Sequence, residues 1–288
     1  MAYYCMVIGA ALLLALDFSF SKTYQAWEGI TILAGLKFNT LNGLVTAAIF
    51  FTLSGFKMEF SAYSALLAFC MSLFAMIYSV VGFRVLKDGN MSIYSIFLMS
   101  GGMLLPYLFG VMFLNEDLTL SRTIGLTIIL VAAVLSNGIK GKLKTSFLLL
   151  CAAVFVLNGA VSILSKCHQI NTANHAVSST MLITYTGIAK FVIGCTVFPF
   201  CRRNVEPLPF SSKRTVYVVI CSALVGGVSY MLQLTGAREL PASVLYPIVS
   251  GGSIIFSALS GKLLFKEKLS VYQLVSIGLC FVGTLLFL

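Results

Sequence analysis

Two stretches decide the fold: Leu245–Ser270, LYPIVSGGSIIFSALSGKLLFKEKLS, and Met99–Leu120, MSGGMLLPYLFGVMFLNEDLTL. Each carries a Ser-Gly-Gly triplet and a proline inside a long apolar run, then a short polar stretch with Glu ahead of Leu-Thr or Leu-Ser. The triplets are Ser100-Gly101-Gly102 and Ser250-Gly251-Gly252; the acidic loops are Glu116-Asp117-Leu118-Thr119 and Glu267-Lys268-Leu269-Ser270. A third pair lies upstream, Ser21-Lys22-Thr23-Tyr24-Gln25 and Ser165-Lys166-Cys167-His168-Gln169, with Lys22 and Lys166 separated by 144 positions, half of the 288 residues. Three anchors in one order at nearly one shift read as an internal duplication, 1–140 and 145–288.

Working outward, apolar runs of the roughly 20 residues needed to cross a bilayer recur along the chain. Helices are expected at 2–21, 30–54, 61–82, 91–114, 121–138, 146–165, 177–200, 215–235, 242–265 and 271–288. Runs of this length lack the alternation of barrel strands. Their short connections predict that sequential helices are antiparallel neighbours. The first helix lacks a basic leader and a small-residue cleavage site, so it reads as retained. The fold class is all-α integral membrane, about ten transmembrane helices in two repeats of five. Five is odd, so the second repeat enters from the opposite side. Such inverted repeats place a solute site near the midplane where the halves meet.

Composition agrees. With 59% hydrophobic and 10% charged residues, the surface is too apolar to face water. The +10 net charge sits between apolar runs, where lipid headgroups and topology account for it, and nucleic acid is not an expected partner. Eight cysteines without a CxxC read as small buried hydrophobes. Cys167, His168 and His175 have no ligand spacing on one helical face, so no metal is expected. P-loop, HExxH and GxSxG motifs are absent, as is a TVGYG filter; the chain reads as neither enzyme nor potassium channel, and no cofactor is expected.

Candidate site residues are those a membrane tolerates only for a reason. Asp17 is the only carboxylate deep in an expected span, and Lys37 and Lys190 are the intramembrane cations. Asp17 suggests proton coupling or substrate binding; the lysines suggest contacts for an anionic group. A structural Lys–Asp pair between helices one and two, or lysines snorkelling to the headgroups, would explain the same residues. Pro106 frees the carbonyl of Gly102 and Pro247 that of Ser243, which is tolerated where a cavity or protein covers the backbone. Tyr94, Ser100, Gly101, Gly102 and Tyr246, Ser250, Gly251, Gly252 surround these breaks as cavity candidates, with helix packing as the competing explanation. Asn158, Tyr185, Tyr230 and Gln233 are further cavity polars, while Glu116 and Glu267 read as caps or loop anchors.

The 245–288 stretch, with its early proline, small residues, Glu-loop, Gln273 and Gly-rich last helix, resembles the end of an EamA-type repeat, and Met99–Leu126 matches it in the first half. Across its whole length the chain is similar to the EamA-like transporters of the drug/metabolite superfamily. That resemblance implies ten helices around a central cavity, secondary transport of a metabolite, amino acid or drug, often export, and residence in the cell membrane. Small-molecule substrate and lipid are the implied partners; proton coupling, and monomer against homodimer, stay open. So does a non-transporting membrane partner or assembly subunit that keeps the fold. The small multidrug branch carries its carboxylate eight residues before the closing lysine, where this chain has Leu14 and Asn158, with Asp17 about one turn on.

Orientation also stays open. Thirteen Lys and Arg flank the loops after the odd helices, from Lys22 to Lys268, against Lys57, Arg122, Lys166 and Arg238 on the other side. The charge bias places both termini outside; the resemblance implies a cytoplasmic pair. A C-terminal reporter that matures only in the cytoplasm separates them.

Overall fold

In the computed structural model, residues 2–87, 91–137, 145–171, 175–201, 213–266 and 269–287 are described, without side chains at 82–87, 91–95, 136–137 and 146. They form ten helices: α1 Ala2–Glu28, α2 Ile32–Leu53, α3 Ala62–Lys87, α4 Met91–Phe113, α5 Leu120–Asn137, α6 Thr145–Ile170, α7 Ser179–Cys201, α8 Lys213–Glu239, α9 Ala242–Phe265 and α10 Val271–Leu285. No strand occurs among the described residues. Eight helices are long and apolar enough to span a bilayer, and α5 and α10 contribute shorter apolar segments. This is a multi-pass, all-α membrane protein. Large side chains such as Leu66, Leu149, Leu263 and Phe281 point outward, which accounts for the missing surface charge.

Local chemistry sets the ends. The Thr31 hydroxyl accepts from the N–H of Ala34 to start α2. Ser270 and Gln273 form a reciprocal capping box on α10. Lys266 closes α9 in the left-handed region, φ 53°.

Two expectations need correction. First, α1 and α6 do not stop at their lysines but run on to Glu28 and Ile170, so both anchors lie inside helices. Tyr24 holds the α1 extension, donating to the carbonyl of Ala34 and packing on Phe38. Second, α4 and α9 run continuously through Pro106 and Pro247 rather than breaking there.

Sequential helices are also not the main neighbours. α1 packs on α8 and α9, α6 on α3 and α4, α2 on α7 and α8, α3 on α7, α4 on α9 and α5 on α10, while α1 barely meets α2. Replacing each helix by the one five places away exchanges α1–α8 with α3–α6, α1–α9 with α4–α6 and α2–α8 with α3–α7, and returns α2–α7, α4–α9 and α5–α10 to themselves. The reason is small residues rather than loop length. At the α2–α7 crossing, a Cβ on Gly43 would lie 2.8 Å from the Gly187 carbonyl oxygen, and one on Gly187 2.7 Å from that of Gly43. Gly101 and Gly159 bring α4 and α6 together in the same way, against the Phe155 backbone and Leu105. Such close approach drives association where the solvent is as apolar as the side chains.

Gly43→Leu or Gly187→Leu must therefore separate α2 from α7. Overpacking of this kind costs about 1–3 kcal/mol, so each variant is expected to lower the thermal midpoint in detergent, whereas Gly278→Leu, which faces open space, is expected to leave it unchanged.

Candidate functional site

The close crossings leave a central cavity of about 320 Å³, walled by both halves of the chain. Asp17 enters it from α1. Its Oδ1 accepts a 2.5 Å hydrogen bond from the Ser222 hydroxyl of α8. Asn42 of α2 donates in turn to Ser222 at 3.2 Å, and Thr46 lies 3.5 Å from the Asn42 side-chain oxygen. Gly226, one turn beyond Ser222, makes the approach possible, because a Cβ there would sit 2.9 Å from Oδ2 of Asp17. Three helices thus fix one carboxylate.

Lys190 of α7 reaches the same cavity, one turn past Gly187. Its Cβ lies 2.7 Å from where a Gly43 Cβ would be, so the α2–α7 crossing aims it beside Asn42 and Thr46. Among the described residues its ammonium makes no direct hydrogen bond or ion pair, although it interacts electrostatically with Asp17.

A second group of polar atoms belongs to α6, α8 and α9. The Tyr230 and Ser165 hydroxyls are 2.7 Å apart, and Tyr246 donates to the Ser162 carbonyl at 2.5 Å. Asn158 donates to the Leu98 carbonyl of α4 at 2.7 Å, in space that Gly102 leaves free. Gln233 donates to Ser229 at 3.2 Å. From α3, Ser72 donates to the Thr186 carbonyl at 3.0 Å, and Tyr78 lies within electrostatic range of both Tyr230 and Asp17.

The cavity wall therefore brings together Asp17, Gly102, Asn158, Lys190, Tyr230, Gln233, Tyr246 and Ser250. Ser100, Pro106 and Pro247 are not on it. Gly101 packs on the Phe155 backbone, Gly251 on Thr284 and Ile129, and Gly252 on Ala11, so these glycines serve helix packing. Tyr185 donates to the Glu59 carbonyl at 2.6 Å and anchors a loop. The side chain of Tyr94 lies outside the described residues. Lys37 is paired with Glu28 at 3.6 Å, not with Asp17, and Glu28 also accepts from Thr215 at 3.0 Å. That pair was hidden because α1 reaches Glu28, a residue the apolar run alone assigns to a loop.

Asn42, Thr46, Tyr78, Ser162, Ser165 and Ser222 line the cavity but are not among the cavity candidates named from the sequence. Part of the signal was present: Asn158, Ser162 and Ser165 form an i, i+4, i+7 stripe, and Gly43 and Gly187 share the 144-residue shift of Lys22 and Lys166.

One boundary of the cavity is the α8–α9 joint, which includes Ala237. Lys166 is buried and donates to the carbonyls of Ala237 and Leu240 at 2.8 and 2.7 Å, where the C-terminal end of α8 favours a cation. Glu116 accepts from the N–H groups of Ala242 and Ser243 at 2.6 and 2.7 Å, capping α9. Glu267 lies outside the described residues.

The EamA-like transporter family model matches residues 145–288, half of the chain. The chain belongs to the EamA-like transporter family. A crystal structure 16% identical in sequence superposes with a TM-score of 0.73, covering 99% of this chain and 96% of that one, and supports the fold alone. No curated protein matches the sequence. Within this EamA-like chain, the clamp made by Lys166 and Glu116 uses charged side chains for structure, separate from the two charges of the cavity.

Lys166→Met leaves the Ala237 and Leu240 carbonyls without their buried donor. Leaving a buried acceptor unpaired costs about 1–3 kcal/mol, so the variant is expected to unfold at lower temperature in detergent, with Lys57→Met as the exposed control.

Proposed function

We propose that this EamA-like chain is a secondary carrier, built as two inverted repeats, 1–140 and 145–288, that moves a small polar metabolite, an amino acid or a drug across the cell membrane by alternating access. The observation that carries the proposal is the cavity itself, with one carboxylate from α1 and one ammonium from α7 on its wall. Intramembrane charges are expensive, and their default role is in a solute or ion path. A bundle held together only for stability has no use for an unpaired ammonium beside a cavity. The packing pairs, which are exchanged when each helix is replaced by the one five away, support a rocking of one repeat against the other. The wall is largely apolar with a few polar groups set into it, which suits a solute that carries hydrogen-bonding groups beside apolar surface. Within this proposal the chain binds and releases its substrate unchanged, without chemical conversion. Export is the direction that the family resemblance implies.

Reconstitution tests the proposal. Vesicles containing the purified protein are expected to take up at least one solute from a broad metabolite panel saturably. Asp17→Asn and Lys190→Gln are each expected to reduce that flux at least about tenfold, since a hydrogen bond from the solute to a charged group is worth about 1.5–3 kcal/mol, while the lipid-facing Tyr272→Phe is expected to retain it. Absence of flux across the panel, together with a stable partner that co-purifies, favours instead a membrane assembly subunit.

A further inference from the structure

Asp17 and Lys190 are the only carboxylate and the only ammonium on the cavity wall among the described residues. They have opposite signs and come from helices that the α2–α7 crossing and the α1–α8 packing hold against the same space. The other titratable groups on the wall are Tyr78 of α3, Tyr230 of α8 and Tyr246 of α9, phenols that are uncharged at neutral pH. Packed against Asp17, α8 presents Ser222, α2 presents Asn42, and neither brings a charge. The remaining charges near this region are already committed, Lys37 to Glu28 and Lys166 to two carbonyls. Among the described residues, Lys190 is the cation on the wall that is left to balance Asp17.

We infer that Lys190 is a built-in counter-cation for Asp17. In the empty cavity its ammonium neutralises the carboxylate across the intervening space, doing what a coupled proton or metal cation would otherwise have to do. Because the two groups are not locked in a direct ion pair, the ammonium can be displaced, and a cationic group on the substrate competes with it for Asp17. The consequence for transport rests on the carrier function proposed above: an empty carrier whose internal charges cancel can reorient without taking up a proton or a metal ion. A carrier that depended on protonation of Asp17 would instead leave Lys190 as an uncompensated charge in a low-dielectric site, which is costly.

The charge arrangement is testable without transport. Wild type, Lys190→Ala, Asp17→Asn and the Asp17→Asn/Lys190→Ala double variant are compared in lipid nanodiscs at neutral pH by infrared difference spectroscopy of the protonated-carboxyl C=O stretch, with ethylammonium as the probe. Wild type is expected to show no such band from Asp17. Lys190→Ala is expected to show one, because a carboxylate deprived of its cation takes up a proton. Ethylammonium, which replaces the deleted amine, is expected to remove that band, and the double variant should neither show it nor respond. A band already present in wild type, or a Lys190→Ala spectrum that ethylammonium leaves unchanged, overturns the inference. Should Lys190→Ala fail to fold, thermal unfolding of Asp17→Asn, Lys190→Gln and their double variant decides. The double variant is expected to recover most of the midpoint lost by either single one, and a double variant no more stable than the singles overturns the pairing. Absent flux from wild type counts against the carrier function and leaves each of these outcomes legible.

Discussion

The contact on which the rest of the structure depends is the crossing of α2 and α7 at Gly43 and Gly187. Each glycine lies where a side chain on the other would collide with backbone, so the two helices meet backbone to backbone. In water, burial of apolar side chains would supply the force for association. In lipid that force is absent between apolar faces, and van der Waals contact at short range has to replace it. The crossing does more than hold two helices. It sets the rotation of each about its own axis, and so decides that Asn42, Thr46, Thr186 and Lys190 face the cavity while Leu44 and Ile188 face outward. A bulkier residue at either glycine would move the site as well as loosen the bundle.

Charge is arranged in three different ways around this frame, and the difference separates scaffold from site. Lys37 and Glu28 neutralise each other at the extension of α1. Lys166 and Glu116 are satisfied by backbone groups, one holding the carbonyls at the end of α8 and the other the N–H groups at the start of α9. The second arrangement completes backbone hydrogen bonding that the bilayer cannot supply. Asp17 is satisfied on one oxygen by Ser222, and among the described residues Lys190 has no direct partner, so on the cavity wall these two charges keep capacity to bind something else.

Much of this was legible in the sequence, for reasons that can be stated. Helix number and type follow from apolar runs, because a continuous apolar run of about 20 residues spans hydrocarbon as a helix, whereas barrel strands are shorter and alternate. Asp17 and Lys190 stood out because ionisable residues are rare at such depth. Glu116 read as a cap because it sits in a short loop between helices. The errors share a cause. Apolar run length stops a helix where a polar cluster begins, yet Lys22 and Glu28 stay helical because tertiary partners, Phe265 under Lys22 and Lys37 beside Glu28, accept them. The Ser-Gly-Gly triplets mark where helices press together, but a glycine carries no sign of which face is pressed: Gly102 makes room for Asn158 beside the cavity, and Gly101 next to it is spent on Phe155. The hydroxyls of Ser222 and Ser165 are too common in membrane helices to be noticed until their partners are known.

The scaffold and the site obey different symmetries. Positions 144 apart agree where the frame is built: Lys22 with Lys166, Thr40 with Thr184, Gly43 with Gly187. They disagree where the cavity is charged, since the counterpart of Asp17 is Val161 and that of Lys190 is Thr46. Under the carrier function proposed above, a frame in which helix pairs are exchanged presents the same shape to both sides of the membrane in turn, and needs matched packing for that. A binding site needs the reverse. Two carboxylates related by the same exchange would face one cavity and repel, and two lysines would do likewise. Placing one sign on α1 and the other on α7 removes that repulsion, keeps the cavity neutral, and gives a bound solute one orientation rather than two equivalent ones.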